Sequence, residues 1–229
     1  MPMKTNGILE FLTELAANNS KEWMDANRSR YDQVKESLQE DAAKILSGLS
    51  ANQPAFSSLR PKDCLFRQNR DIRFSANKLP YKMNMAAYFA VGGKKSPGPG
   101  YYLHLEPGGS FLAGGIWMPG SDILKKIRQE IDYAGSELKG ILEAPSFYDY
   151  FGEMEGEQLK TSPKDYSNEH PHIKLLRYKS FIVSKRLADS DVASGDHVRL
   201  ALEAFDTMRP FMAFLDKAIA DYEDEGFII

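Results

Sequence analysis

Tyr101 to Trp117 reads Y-Y-L-H-L-E-P-G-G-S-F-L-A-G-G-I-W. Two apolar, strand-like runs flank Pro107-Gly108-Gly109, the composition of a hairpin turn. Side chains alternate faces along a strand. Leu103 and Leu105 therefore point one way, and Tyr102, His104 and Glu106 point the other. On the return strand Gly114-Gly115 marks a bulge or a close backbone approach. Trp117 shares a face with Phe111 and suits a core or rim position.

Other strands group around this hairpin. Met83 to Val91 alternates, with Met83, Met85, Ala87, Phe89 and Val91 on one side. Cys64 to Phe74 has strand character mixed with charge, Glu153 to Lys160 reads as a short edge strand, and Phe181 to Leu187 as a further strand. Helical spacing governs the rest. Ile8, Leu9, Phe11, Leu12 and Leu15 give a first helix that stops at Asn18-Asn19-Ser20, and Asn19 with Glu22 resembles a capping box. A long second helix carries Trp23, Asn27, Tyr31, Val34, Leu38, Ala42, Ile45 and Leu49 on one stripe. Ser121 caps a third, with Leu124, Ile127, Ile131, Ala134, Leu138 and Ile141 inward. Pro171 opens a helix to Tyr178, and Asp191 to Tyr222 forms a terminal helix that Pro210 should kink. This order predicts an α+β fold: one domain over residues 1–229, with a largely antiparallel sheet packed against long helices.

The chain has 229 residues, 42% hydrophobic and 27% charged, enough to bury a sizeable core. A net charge of −3 argues against general nucleic-acid binding. Cys64 is the only cysteine, which excludes an intrachain disulfide and points to a reducing compartment, so a cytoplasmic location is expected. The N-terminal M-P-M-K-T-N-G is not expected to be a signal peptide, and no apolar run is long enough for a membrane helix.

Positive charge concentrates in Arg67 to Lys82, R-Q-N-R-D-I-R-F-S-A-N-K-L-P-Y-K. As a strand, its first half would set Arg67, Asn69, Asp71 and Arg73 on one face and Phe66, Gln68, Arg70, Ile72 and Phe74 on the other, against the core. Ser75 to Pro80 reads as a loop that brings Asn77 and Lys78 near Tyr81 and Lys82. One carboxylate, Asp71, cannot neutralise Arg67, Arg70, Arg73, Lys78 and Lys82. An unpaired buried charge costs roughly 3–5 kcal/mol. The face is therefore solvated, paired with acids from elsewhere, or occupied by an anion, which planar guanidinium groups bind in pairs. A purely structural ion-pair network is the competing reading.

Other signals are weaker. Gly92-Gly93-Lys94-Lys95-Ser96 fails the phosphate-loop pattern, because Tyr88 stands at the first glycine position. His170-Pro171-His172 lacks the further ligands of a metal site, so neither a metal nor a cofactor is expected. His104 and Glu106 could serve as acid and base, with Asp71 a third catalytic candidate; a solvated polar sheet face explains His104 and Glu106 equally well.

The chain resembles the bacterial proteins catalogued as domain of unknown function 2461 over essentially its whole length. The resemblance rests on F-L-T-E-L-A-A-N-N-S-K-E-W-M at Phe11–Met24, R-Q-N-R-D-I-R-F at Arg67–Phe74, N-K-L-P-Y-K at Asn77–Lys82, Gly100–Trp117, and H-P-H-I-K-L-L-R-Y-K-S-F at His170–Phe181. Asn77 stands where the family often has Asp. The resemblance implies a cytoplasmic bacterial protein and supplies no activity. Three functions fit the residues. One is a binding module for a small anion held by Arg67, Arg70, Arg73, Asn77, Lys78, Tyr81 and Lys82. Another is a hydrolase of a phosphorylated or acylated substrate. The last is a nucleic-acid or protein interaction module that also uses Lys94 and Lys95. The sequence leaves the oligomeric state open.

Overall fold

The computed structural model describes residues 7–220. Helix α1 (Ile8–Ala17) buries Ile8, Phe11, Leu12 and Leu15, the expected stripe. The expected second helix is broken at Asn27 into α2 (Lys21–Ala26) and α3 (Arg28–Asn52). Asn27 leaves helical geometry at φ −106°, ψ 20°, and its side-chain amide donates back to the Trp23 carbonyl at 2.9 Å. Asparagine competes in this way for backbone partners. Ser20, rather than Asn19, caps α2 by accepting from the Trp23 N–H. A short 3₁₀ turn (Pro54–Ser58) and α4 (Pro61–Cys64) lead to the sheet.

The strands are β1 (Met85–Ala90), β2 (Gly100–Leu105), β3 (Phe111–Ile116) and β4 (Phe181–Arg186), adjacent in the order β1-β2-β3-β4. The fold is α+β, an antiparallel sheet packed against long helices. Met85 pairs with Leu105 and Ala90 with Gly100. Helix α5 (Ser121–Glu143) starts after Gly120 with no side-chain cap, so Ser121 is its first residue instead of its cap, and Ala134 is non-helical within it. Helix α6 spans Pro145–Phe151. The expected edge strand at Glu153–Lys160 is reduced to two bridges, Glu155 to Ile182 and Gln158 to Tyr178. Only one turn, α7 (Ile173–Leu176), forms after Pro171. The expected terminal helix is two: α8 (Asp189–Ser194), ended by Gly195 at φ 81°, and α9 (His197–Ile219), which continues through Pro210. Tyr222 lies outside the described residues.

The described residues divide into two compact units. In the first (7–96, 100–113 and 184–206), the Phe205 ring stacks on Tyr101 at 4.6 Å and meets Phe89 at 6.3 Å. That contact docks the start of α9 on β1 and β2. A Cβ on Gly48 would overlap Leu202, so α3 and α9 approach closely there. Fully buried His197 meets the Asp41 carboxylate at 3.0 Å. Burial pushes the Asp41 carboxyl up, but hydrogen bonds from His197 and Lys44 outweigh it and hold the group below its ordinary range.

In the second unit (97–99, 114–183 and 207–220), Phe147 packs on Phe211 and Lys217 meets the buried Glu130 carboxylate at 2.8 Å. Trp117 is 68% exposed, off the core. Gly115 has φ 125°, and a Cβ there would lie 2.0 Å from the Phe181 carbonyl oxygen, the close approach that the glycine pair signals. Gly115→Ala should therefore cost on the order of 3 kcal/mol, from a forbidden φ and a clash with backbone. Gly140, in α5 with open space around its Cβ position, should gain roughly 0.4–1 kcal/mol on replacement by Ala. Thermal unfolding of the two variants checks both signs.

Candidate functional site

Residues 65–70 run antiparallel to 80–87. The Phe66 N–H donates to the Ala86 carbonyl (3.0 Å), Lys82 to Gln68 (2.9 Å) and Arg70 to Pro80 (2.9 Å). Between the first two pairs, Arg67 alone faces Met83, Asn84 and Met85. Such a bulge strips ladder partners from the longer arm. The buried Gln68 amide replaces them: its Nε2 donates to the Lys82 carbonyl at 2.5 Å and the Asn84 carbonyl at 3.1 Å. Cys64 to Phe74 is therefore not a strand, and only isolated bridges form, Leu65 to Ala87 and Asn69 to Tyr81. The expected two-faced alternation fails with it. Phe74 is 96% exposed and Phe66 41%, while Gln68 is inside. Met83 and Val91, which alternation sets on the same side as Met85, Ala87 and Phe89, are exposed while those three are buried.

Asn19 locks the second arm. Its side chain accepts from the Tyr81 N–H and donates to the Tyr81 carbonyl, both at 3.0 Å, as a neighbouring strand would. Tyr81 is buried in this frame.

The loop between the arms ties itself together. Arg73 grips Asp71 through two bonds, Nε–Oδ1 at 2.9 Å and Nη2–Oδ2 at 2.7 Å, and lies over the Phe74 ring. These bonds hold the Asp71 carboxyl below its usual range. Arg70 donates to the Leu79 carbonyl and the Ser75 hydroxyl, Lys78 to the Ile72 carbonyl, and Asn77 Oδ1 accepts from the Leu79 N–H. Arg70, Asn77 and Lys78 thus brace backbone, and the charge of Arg73 is met by Asp71.

At the base of the arms the balance differs. The ammonium groups of Lys82 and Lys94 lie 5.3 and 5.5 Å from the centroid of the Phe66 ring. Lys94 also donates to the Leu65 carbonyl. Gly92 and Gly93, both at positive φ, turn the chain after β1 and return this lysine. Burial pushes the Lys82 ammonium down, and the charges of Arg67 and Lys94 push it further. Among the described residues no ion pair links Arg67, Lys82 or Lys94 to a carboxylate.

The Phe66 ring meets Tyr102 edge-on, centroids 6.1 Å apart. Tyr102 and His104 share one face of β2, and Glu106, one residue past its end, joins them on that side through His104. At His104 that face is closed: the residue is 8% exposed and its ring stacks on Phe111 at 4.6 Å. Tyr102 Oη lies 3.0 Å from His104 Nδ1, and His104 Nε2 lies 2.9 Å from Glu106 Oε2. An ionised carboxylate only accepts, so Nε2 carries the imidazole proton and Nδ1 accepts from the Tyr102 hydroxyl. Burial, aided by the Glu106 charge, pushes the Tyr102 phenol up to about 12.

The model of the family described as a conserved hypothetical protein (DUF2461) matches residues 7–214. The chain belongs to the DUF2461 family. No curated protein and no solved structure matches it.

The structure brings some of the DUF2461 chain's candidates together and separates the roles of others. Lys82 joins Arg67 at the base, while Arg70, Asp71, Arg73, Asn77 and Lys78 bond within the loop. Phe66 was missing from the sequence-derived anion site, and Lys94 entered only the interaction-module reading. The only signals for them were the Gly92-Gly93 turn and an aromatic beside a basic run. In the second unit His170 Nε2 meets Asp132 at 2.9 Å, and among the described residues no group of three metal-binding side chains occurs. Asn19→Ala should remove two bonds to the Tyr81 backbone at a cost of roughly 1–3 kcal/mol. Hydrogen exchange should then quicken at Tyr81 and Lys82 while the β2 amides keep their protection.

Proposed function

We propose that this DUF2461 protein binds a small anion of the phosphate or carboxylate type at Arg67, Lys82 and Lys94. The supporting observation is that Lys82 and Lys94 lie over the Phe66 ring, that the Arg67 charge reaches Lys82, and that none of the three forms an ion pair with a carboxylate among the described residues. Arg67 supplies a planar fork and the lysines supply point charge. The Lys82 ammonium is lowered first by burial and then by the charges of Arg67 and Lys94, and the second part fits the same reading, since like charges crowded together favour an anion between them. Three charge-assisted bonds contribute roughly 5–9 kcal/mol, against an association cost of roughly 4–15 kcal/mol. Contact with the half-exposed Phe66 and with Tyr102 would help close that gap, so a ligand with a flat apolar part next to its charge suits the site best. No described helix is long and apolar enough to cross a membrane. The single cysteine fits a cytoplasmic setting.

Thermal unfolding against phosphate, nucleotides, sugar phosphates and dicarboxylates tests the reading. A ligand at 100 times its dissociation constant stabilises by about 2.7 kcal/mol, a rise of roughly 5–10 °C for a chain this size. Lys82→Ala or Arg67→Ala should abolish the rise, and Arg73→Ala should leave most of it. An anion favours the charged lysine. Affinity should therefore fall as pH rises through the lowered Lys82 value, beginning below the ordinary 10.5. A rise that survives Lys82→Ala and disappears in Arg73→Ala would place the anion in the loop instead.

A further inference from the structure

We propose that the Tyr102–His104–Glu106 chain is a proton relay, and that the site hydrolyses phosphate monoesters. The inference rests on the anion-binding reading and adds a reaction to it. The relay has two distinct ends. Glu106, its side chain 39% exposed, opens to solvent beside the hairpin turn. Tyr102, at the other end, touches Phe66, the ring over which Lys82 and Lys94 sit. Between them His104 is clamped by two hydrogen bonds and by the Phe111 ring. A carboxylate that orients an imidazole, which in turn accepts from a hydroxyl, is the arrangement that activates an oxygen for proton abstraction. A purely structural network would satisfy a buried histidine equally well. It would not account for the relay ending beside lysines that form no ion pair with a carboxylate among the described residues.

The chemistry balances without a co-reactant other than water. Arg67, Lys82 and Lys94 hold the phosphoryl oxygens and take up the charge that develops on them. A water oxygen bonds to phosphorus as the ester P–O bond breaks. One water proton passes to Tyr102 Oη, and the tyrosine proton passes to His104 Nδ1, where Glu106 stabilises the imidazolium. The proton returns through Tyr102 to the departing alkoxide. The products are an alcohol and inorganic phosphate, and the relay is restored. Tyr102 is the catalytic residue, and His104 and Glu106 act through it as positioning residues.

The test is release of p-nitrophenolate from p-nitrophenyl phosphate, run beside the melting shift with inorganic phosphate. The wild-type chain should show both. Tyr102→Phe keeps the ring against Phe66 and should keep the phosphate shift while kcat falls about 100-fold or more. His104→Gln should likewise keep the shift, and the acid limb of its kcat/KM profile should vanish. A phosphate shift with no turnover, or Tyr102→Phe with undiminished kcat, would overturn the relay and leave the binding reading standing. No shift and no turnover would overturn both.

Discussion

The Gln68 side-chain amide is the constraint on which the site depends. A bulge opposite Arg67 leaves the Lys82 and Asn84 carbonyls without ladder partners, and a buried carbonyl without a donor costs as much as a lost hydrogen bond. Gln68 supplies both donors from one nitrogen, at 2.5 and 3.1 Å. Asn19 does the equivalent for Tyr81 from the far side. Two side-chain amides thus replace a strand. They leave Arg67 close enough for its charge to act on Lys82.

The same constraint sorts the charges. Cations in the loop find local partners: Arg73 a carboxylate, and Arg70 and Lys78 backbone oxygens. An exposed pair such as Arg73 with Asp71 contributes little to stability, so its value lies in shaping the loop. Lys82 and Lys94 at the base lie over an aromatic ring instead. They stay partly solvated, which avoids the several kcal/mol that full burial of an unpaired charge would cost.

Much of the fold was legible in the sequence. Hydrophobic spacing located α1, the body of α3 and the Leu103–Leu105 face. The glycine pair at 114–115 announced the contact with Phe181. The shared face of Tyr102 and His104 followed from strand alternation alone. What escaped were places where a side chain takes over the role of backbone. Asn27 splits a helix by bonding to Trp23, and Gln68 interrupts a strand, yet neither disturbs the hydrophobic pattern that periodicity reads. Lys94 escaped for a different reason: a glycine turn after β1 decides where it lands, and such a turn has no period. The arginine-rich run was legible as a concentration of charge, but charge density could not show which cations already had partners.

The central claim is that the cations at the base of the arms, which form no ion pair with a carboxylate among the described residues, and not the arginine-rich loop above them, receive the anion. Titration of isotope-labelled protein with inorganic phosphate, followed through arginine Nε and lysine Nζ resonances, tests this most directly. The account predicts saturating shifts at Arg67, Lys82 and Lys94, with Arg73 still locked to Asp71. Saturating shifts confined to Arg73 and Lys78, with the base unmoved, would contradict it.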